Sequence, residues 1–434
     1  MIEKLPDDIL ISILSCMRID EAMRTSVLSS RWRYLWRYMD IFTSDTLVFD
    51  YIDNETGTKM KRKKFKNLVN YVLNSYRGPF LDTLIIGYNK LGARSRDVDN
   101  WIVFAMNKEV EDFQLDLSNL NWSHCGYKFP KIEKLSSLLH EGIEAPFRSL
   151  RSLILVDVDI EDELVRYFLE SCPYIEKLSI TASKTTKNLQ IVDSFGYLEE
   201  LEISHCNNLQ SMEISALNLV YFKYQGMKIR LPFKNTPNLS ELALGGHFCD
   251  SFIYEPNKHS SYSDQLVDLV LKLQANNDFY FLDRTIVPPD SAQLHNLERL
   301  ELTIESQVGE SLLFFTSLIK ASPHLQEFKI KIEYLVTVTN RTDVQIRKML
   351  SFPEVSSVEA SRFNHENLKV VEMAGYCGCA SEEILLVQLS KIATSLEMFV
   401  IDTRCDYFRE CEVVTYRLRE EGDMPMKKKQ KKMT

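Results

Sequence analysis

Reactive chemistry in this chain of 434 residues would have to start from its cysteines and histidines, and their spacing argues against it. Cys377-Gly378-Cys379 is a C-x-C pair with no second pair at the spacing a tetrahedral zinc site needs. The eight histidines are dispersed, none in an H-E-x-x-H, and no G-x-S-x-G elbow or glycine-rich phosphate loop accompanies them. The chain therefore reads as a non-enzyme with no catalytic, metal-binding or cofactor-binding residues. Two basic runs, Lys59 to Lys66 and Lys427 to Lys432, have the composition of phosphate-binding patches or nuclear localisation signals. The plainer reading is a solvated helix face and a disordered, solubilising tail.

Bulk properties narrow the class further. A hydrophobic fraction of 45% is enough for one long core or several compact ones. The net charge of -9, with both signs interspersed, speaks against a body built to hold nucleic acid. No apolar run approaches the roughly 18 residues of a membrane span, and the opening Met1-Ile2-Glu3-Lys4 does not start a secretory segment, so no membrane partner is expected. Nine scattered cysteines, an odd number, fit free thiols in a reducing compartment, the nucleus and/or cytoplasm.

Elements come next. Leu5-Pro6-Asp7-Asp8 reads as a helix start, since proline tolerates the first turn and the aspartates complement the positive end of the dipole. Ile9, Leu10, Ile13, Leu14 and Met17 then recur at helical spacing. Asp20 can cap a second helix through Val27 and Leu28, and Ser29 or Ser30 a third carrying Trp32, Leu35, Trp36 and Met39. Three short helices cannot bury this much apolar surface among themselves, so the stripe needs a partner or a neighbouring domain.

These same residues resemble an F-box. The Leu5-Pro6 start, the Ile9 to Leu14 helix, the Ala22-x-Arg24-Thr25-Ser26-Val27-Leu28-Ser29 middle and the Arg31-Trp32-Arg33-x-Leu35-Trp36 end all match that family's pattern. The resemblance implies docking on a Skp-type adaptor, and through it on a cullin-RING ligase. The positions it marks for adaptor binding are Leu5, Pro6, Ile9, Ile13, Leu14, Val27, Leu28, Trp32 and Leu35. One departure stands out: the family's Leu-Pro turn between the first two helices is here Met17-Arg18-Ile19-Asp20, which loses the proline and adds a cation.

The remainder is periodic. Leu198-Glu199-Glu200-Leu201-Glu202-Ile203, with Cys206 and Leu209 behind it, fits the leucine-rich-repeat template L-x-x-L-x-L-x-x-(N/C). The core recurs from Leu150, Ile175, Leu219, Leu239, Leu297, Leu325, Leu368 and Leu396, with degenerate copies from Leu81 and Val110. Successive middle positions from Leu153 to Leu242 are 25, 23, 21 and 20 residues apart; later steps of 58, 28, 43 and 28 imply insertions or unrecognised copies. Residues 164–170, 264–274 and 311–321 have helical spacing and are expected as return helices. Each unit has an apolar face it cannot cover alone, so the units must stack into an arc of parallel strands.

From Asn364 to Asp402 the chain is similar to the FBD segment that follows the repeats in many plant F-box proteins. The fold class expected is α/β: a three-helix F-box (1–45), a linker with degenerate repeats (46–149), leucine-rich repeats (150–345), FBD-like repeats and cap (346–420) and a basic disordered tail (421–434). Parallel strands would line the concave face of the solenoid, with helices and loops on the convex face. On the strands, alternate side chains face outward, which marks Lys177, Ser179, Glu200, Glu202, Tyr221, Lys223, Glu241, Arg299, Glu301, Glu327 and Lys329 as candidate target-binding residues. The function implied is that of the substrate-recognition subunit of an SCF-type ubiquitin ligase, holding an unidentified target protein. The alternative is a repeat scaffold acting outside ubiquitination.

Overall fold

The computed structural model describes residues 5–17, 21–22, 25, 28–35, 38, 46–50, 62–76, 80–88, 96–118, 126–138, 145–230, 233–254, 258–273, 294–306, 311–334, 363–403 and 413–417. They fall into two compact units, residues 1–218 with 230–235 and residues 219–229 with 236–434. The turn residues Arg18, Ile19 and Asp20, the adaptor candidate Val27, the helix candidates Trp36 and Met39, the start of the first basic run and the whole C-terminal tail lie outside the described residues.

In the first unit, helices Asp7–Ser15 and Trp32–Leu35 precede six strands, Thr46–Asp50, Thr83–Gly87, Asp112–Asp116, Ser152–Val156, Lys177–Thr181 and Glu200–Ser204. Each pairs in parallel with the next. The template leucines are the reason: Leu84, Ile86, Leu153, Leu155, Leu178, Ile180, Leu201 and Ile203 are all fully buried, while the residues between them, Ser179 apart, are half-exposed, the alternation a one-sided strand requires. The region 46–149, expected as a linker with degenerate repeats, thus carries full repeat units. Its returns are helices Arg62–Ser75 and Arg96–Asn107. A polar chain joins these two: Trp101 Nε1 donates to Asn70 Oδ1 at 2.7 Å, Asn70 Nδ2 to Asp97 Oδ1 at 2.8 Å, and Lys66 Nζ to Asp97 Oδ2 at 2.7 Å. Lys66, a member of the first basic run, is therefore a structural residue.

Not every return is helical. Asp162–Ser171 is the expected helix, but Asn188–Val192, Ser211–Ser215 and Phe233–Asn235 form a second small parallel sheet where helices or loops were expected. Repeat length decides this. A helix advances about 1.5 Å per residue and a strand about 3.3 Å, so the steps of 23, 21 and 20 residues close only with an extended return, while the 25-residue step has room for a helix.

The second unit continues the pattern with parallel strands Tyr221–Gln225, Glu241–Gly245, Asp268–Leu273, Arg299–Ser306, Glu327–Tyr334, Val370–Ala374 and Met398–Asp402. Val413–Arg417 closes the series antiparallel to Met398–Asp402. The helix expected over 264–274 is instead the strand Asp268–Leu273. Leu266, Leu269, Val270 and Leu273 satisfy helical spacing, but Leu266, Leu269 and Leu271 also form an overlooked L-x-x-L-x-L copy, and hydrogen bonding to strands on both sides selects the extended form. That copy divides the 58-residue step into 27 and 31. The return expected over 311–321 is helical, as a 3₁₀ turn Leu313–Phe315 leading into Thr316–Lys320. No helix of the described residues is long and apolar enough to cross a membrane.

Strand ends turn in a repeated way. Asp157, Ala182 and His205 each follow a strand directly and sit at φ of 58°, 60° and 55°. This left-handed turn lets Asp157 N–H donate to Thr181 O and Ala182 N–H to Ser204 O, both at 2.8 Å, which joins neighbouring repeats at their ends. A β-carbon costs about 1–2 kcal/mol in this region, partly offset by glycine's greater loss of chain entropy. Ala182→Gly is therefore expected to raise stability by about 0.5–1 kcal/mol, read as a higher denaturant midpoint at unchanged slope.

Candidate functional site

The helix Asp7–Ser15 follows Pro6, whose carbonyl accepts Leu10 N–H at 3.2 Å, with Asp7 and Asp8 in the first turn. It carries two apolar faces. Leu10 and Leu14, four residues apart, are fully buried, while Ile9 and Ile13, also four apart, are 48% and 38% exposed. The buried face packs on helix Trp32–Leu35, where Trp32 and Leu35 are 3% and 6% exposed. Ser29 caps that second helix by accepting Trp32 N–H at 3.4 Å. Arg31 ties the two helix starts together, donating from Nε to Asp7 Oδ1 at 2.7 Å and from Nη2 to Leu5 O at 2.6 Å.

The eight described positions of the nine marked for adaptor binding thus divide. Pro6, Ile9, Ile13 and Leu28 face outward and Leu5 is half-buried, whereas Leu14, Trp32 and Leu35 are internal. Those three hold the helices together and cannot reach a partner without unfolding them, because the same 3.6-residue periodicity that lines up Ile9 and Ile13 turns Leu10 and Leu14 inward. Tyr34 and Tyr38, which the marked positions do not include, are also 49% and 65% exposed. Their i, i+4 spacing was the available signal.

On the strands, the candidate target-binding residues fall into separate clusters. Lys177 bridges Glu200 at 2.5 Å and Glu202 at 3.9 Å in the first unit. In the second, Arg299 pairs with Asp268, and Lys329 lies 3.7 Å from both Glu301 and Glu372. Tyr221 and Lys223 stand opposite Glu241 and Ala243 in the ladder. Glu327 is exposed, opposite Arg299 and Val370 in the ladder. Ser179 is 5% exposed and drops out as a contact residue. Within each unit Lys177, Arg299 and Lys329 thus find carboxylates on adjacent strands, while Glu241 and Asp268 stand opposite each other with like charge; exposed opposite-charge pairs of this kind contribute about 0–1 kcal/mol each to stability.

The buried thiols among the described residues are structural. Cys206, at the small-residue position of its repeat, is 3% exposed and burial pushes its thiol up to about 11. Burial likewise pushes Cys172 up to about 12. Neither is a reactive thiolate. Cys377 and Cys379 flank Gly378 in a turn whose backbone N–H groups are all bound by the carboxylate of Glu382.

Comparison with known proteins agrees with this anatomy. Residues 2–44 match the F-box domain model, and residues 81–430 match the leucine-rich-repeat model described as At1g61320/AtMIF1, LRR domain. Among relatives from Arabidopsis thaliana, F-box/LRR-repeat protein At3g26922 is 30% identical over 264 residues, covering 56% of this chain and 81% of its own length. FBD-associated F-box protein At5g56370 is 26% identical over 92% of this chain and 89% of its own. FBD-associated F-box protein At5g38590 is 25% identical over 94% and 95% respectively. An F-box whose first helix is apolar on two sides, followed by stacked L-x-x-L-x-L strands, makes this chain a member of the plant F-box/leucine-rich-repeat family that includes the FBD-associated F-box proteins.

Proposed function

We propose that this chain is the substrate-recognition subunit of an SCF-type ubiquitin ligase, bound to a Skp-type adaptor through the outward face of its F-box and to a target protein through its repeats. The observation that carries the reading is the second apolar face of helix Asp7–Ser15. Ile9 and Ile13 leave 48% and 38% of their surface in water side by side on one helix face, apolar area that a partner can cover. The chain acts by positioning: tethering a target beside the ubiquitin carrier raises its effective concentration there. Buried free thiols at Cys172, Cys206 and Cys249 support a reducing compartment, the nucleus and/or cytoplasm.

Co-purification with a Skp-type adaptor tests this. The full chain is expected to retain the adaptor, and Ile9→Glu with Ile13→Glu to weaken it roughly 10- to 100-fold, since burying the exposed part of two isoleucines is worth about 1–3 kcal/mol. The melting temperature of the double variant should hardly change, because both side chains already face water. An adaptor that ignores wild type and variant alike would sink the reading and leave a repeat scaffold outside ubiquitination.

A further inference from the structure

In the second unit three cations of the sheet face are paired in place: Arg299 with Asp268, Lys329 with Glu301 and Glu372, Lys331 with Glu333. The lip where those strands begin is different. Val267, Glu298, Gln326 and Lys369 each immediately precede a strand and are laterally joined by backbone bonds. Glu298 N–H donates to Val267 O at 2.9 Å, Gln326 N–H to Glu298 O at 2.8 Å, and Lys369 N–H to Gln326 O at 2.9 Å. Together with the turn residues Asn296, His324 and Asn367 they line a concavity of about 490 Å³.

Two of these side chains are occupied and four are free. Asn296 and Asn367 each reach back one repeat, donating from Nδ2 to Asp264 O and Pro323 O, both at 2.9 Å. The side chains of Glu298, Gln326, His324 and Lys369 make no hydrogen bond or ion pair among the described residues. A carboxylate, an amide, an imidazole and an ammonium thus line one hollow without a hydrogen bond or ion pair among the described residues, the Glu298 charge being felt by its chain neighbour Arg299.

We infer that this groove seats an extended partner segment of polyproline-II form that carries a cation and, three residues away, an anion. The spacing is the reason. Glu298 and Lys369 lie two strands apart, which is roughly 9.6 Å at about 4.8 Å per strand. A polyproline-II chain has three residues per turn and rises about 3.1 Å per residue, so side chains i and i+3 point the same way roughly 9.3 Å apart. A β-strand repeats one face at about 6.6 or 13 Å and misses the match. A helix reaches a similar span only at i, i+7 and offers no free backbone group, whereas the polyproline-II backbone is unpaired and Gln326, midway, both donates and accepts. The biological meaning rests on the receptor reading, since a segment held here would belong to the target.

The test uses the purified full chain and fluorescein-labelled proline-rich peptides with Lys-Pro-Pro-Glu, Lys-Pro-Pro-Lys or Glu-Pro-Pro-Glu cores, followed by anisotropy at low salt. Wild type is expected to bind the Lys-Pro-Pro-Glu peptide roughly tenfold more tightly than the other two. Glu298→Lys should transfer the preference to Glu-Pro-Pro-Glu, and Lys369→Glu to Lys-Pro-Pro-Lys. No saturation by about 1 mM, a limit of about -4 kcal/mol, or an order of preference indifferent to both substitutions overturns the proposal. Adaptor co-purification with the same variants separates the two readings. Adaptor retained with no charge-dependent peptide order removes only the groove; adaptor absent with the peptide order intact removes the receptor reading and leaves the groove standing.

Discussion

Glu382→Ala is expected to lower the stability of the C-terminal repeats by about 2–4 kcal/mol. Glu382 is fully buried at the third position of helix Ala380–Ile392, with Cys379 at the N-cap. Its Oε2 accepts Gly378 N–H at 2.8 Å, Cys379 N–H at 2.9 Å and Cys377 N–H at 3.1 Å. These donors cluster because Gly378, at φ of 80°, turns the chain so that successive amides point inward. Alanine leaves the buried Cys379 N–H unmatched and the part-buried Cys377 and Gly378 N–H groups to water, and the helix loses the anion at its positive end. Glutamine keeps the shape and one acceptor oxygen but points an amide at a donor, so Glu382→Gln should cost about 2 kcal/mol. Hydrogen exchange over Cys377 to Ile392 is the direct readout, because loosening here need not unfold the whole chain. Protection in the alanine variant equal to wild type would contradict the assignment.

Gly375→Ala should cost about 3–4 kcal/mol, against about 1–2 kcal/mol for Gly196→Ala. Both glycines have φ of 76°, so both substitutions meet the same left-handed penalty. Their surroundings differ. A β-carbon at Gly196 would meet nothing within 4 Å, whereas at Gly375 it would lie 2.4 Å from the carbonyl oxygen of Ile332. Ile332 belongs to the strand Glu327–Tyr334, held in register with the strand before it, so that oxygen cannot move aside alone. Paired thermal melts of the two variants isolate the packing contribution from the conformational one. Equal shifts in melting temperature would mean that the strand end relaxes freely.

Much of this architecture was legible because it rests on short periods. The pair Leu153 and Leu155, or Leu201 and Ile203, announces an inward strand face from a six-residue window, and Leu5-Pro6 with Asp7 and Asp8 announces a helix start. Where two periods coincide, local reading fails: Leu266, Leu269, Val270 and Leu273 fit a helix as well as a strand, and the ladder on either side decides. The strand Thr46–Asp50 went unread because it offers only Leu47 and Phe49 as its pattern.

What the sequence by itself determined is the class of unit and its order, an F-box followed by stacked leucine-rich repeats, since side-chain periodicity is a property of neighbours in the chain. Only the tertiary structure decided which side of each apolar residue meets water. Ile9 and Leu10 are adjacent and chemically alike, yet one is 48% exposed and the other is buried. Sequence spacing likewise marked Lys177, Arg299 and Lys329 as outward-facing charges; lateral strand pairing placed a carboxylate beside each of them and brought Glu298 and Lys369 to one lip two strands apart. Exposure and charge matching depend on residues tens of positions away, brought alongside by the ladder of hydrogen bonds that no local pattern records.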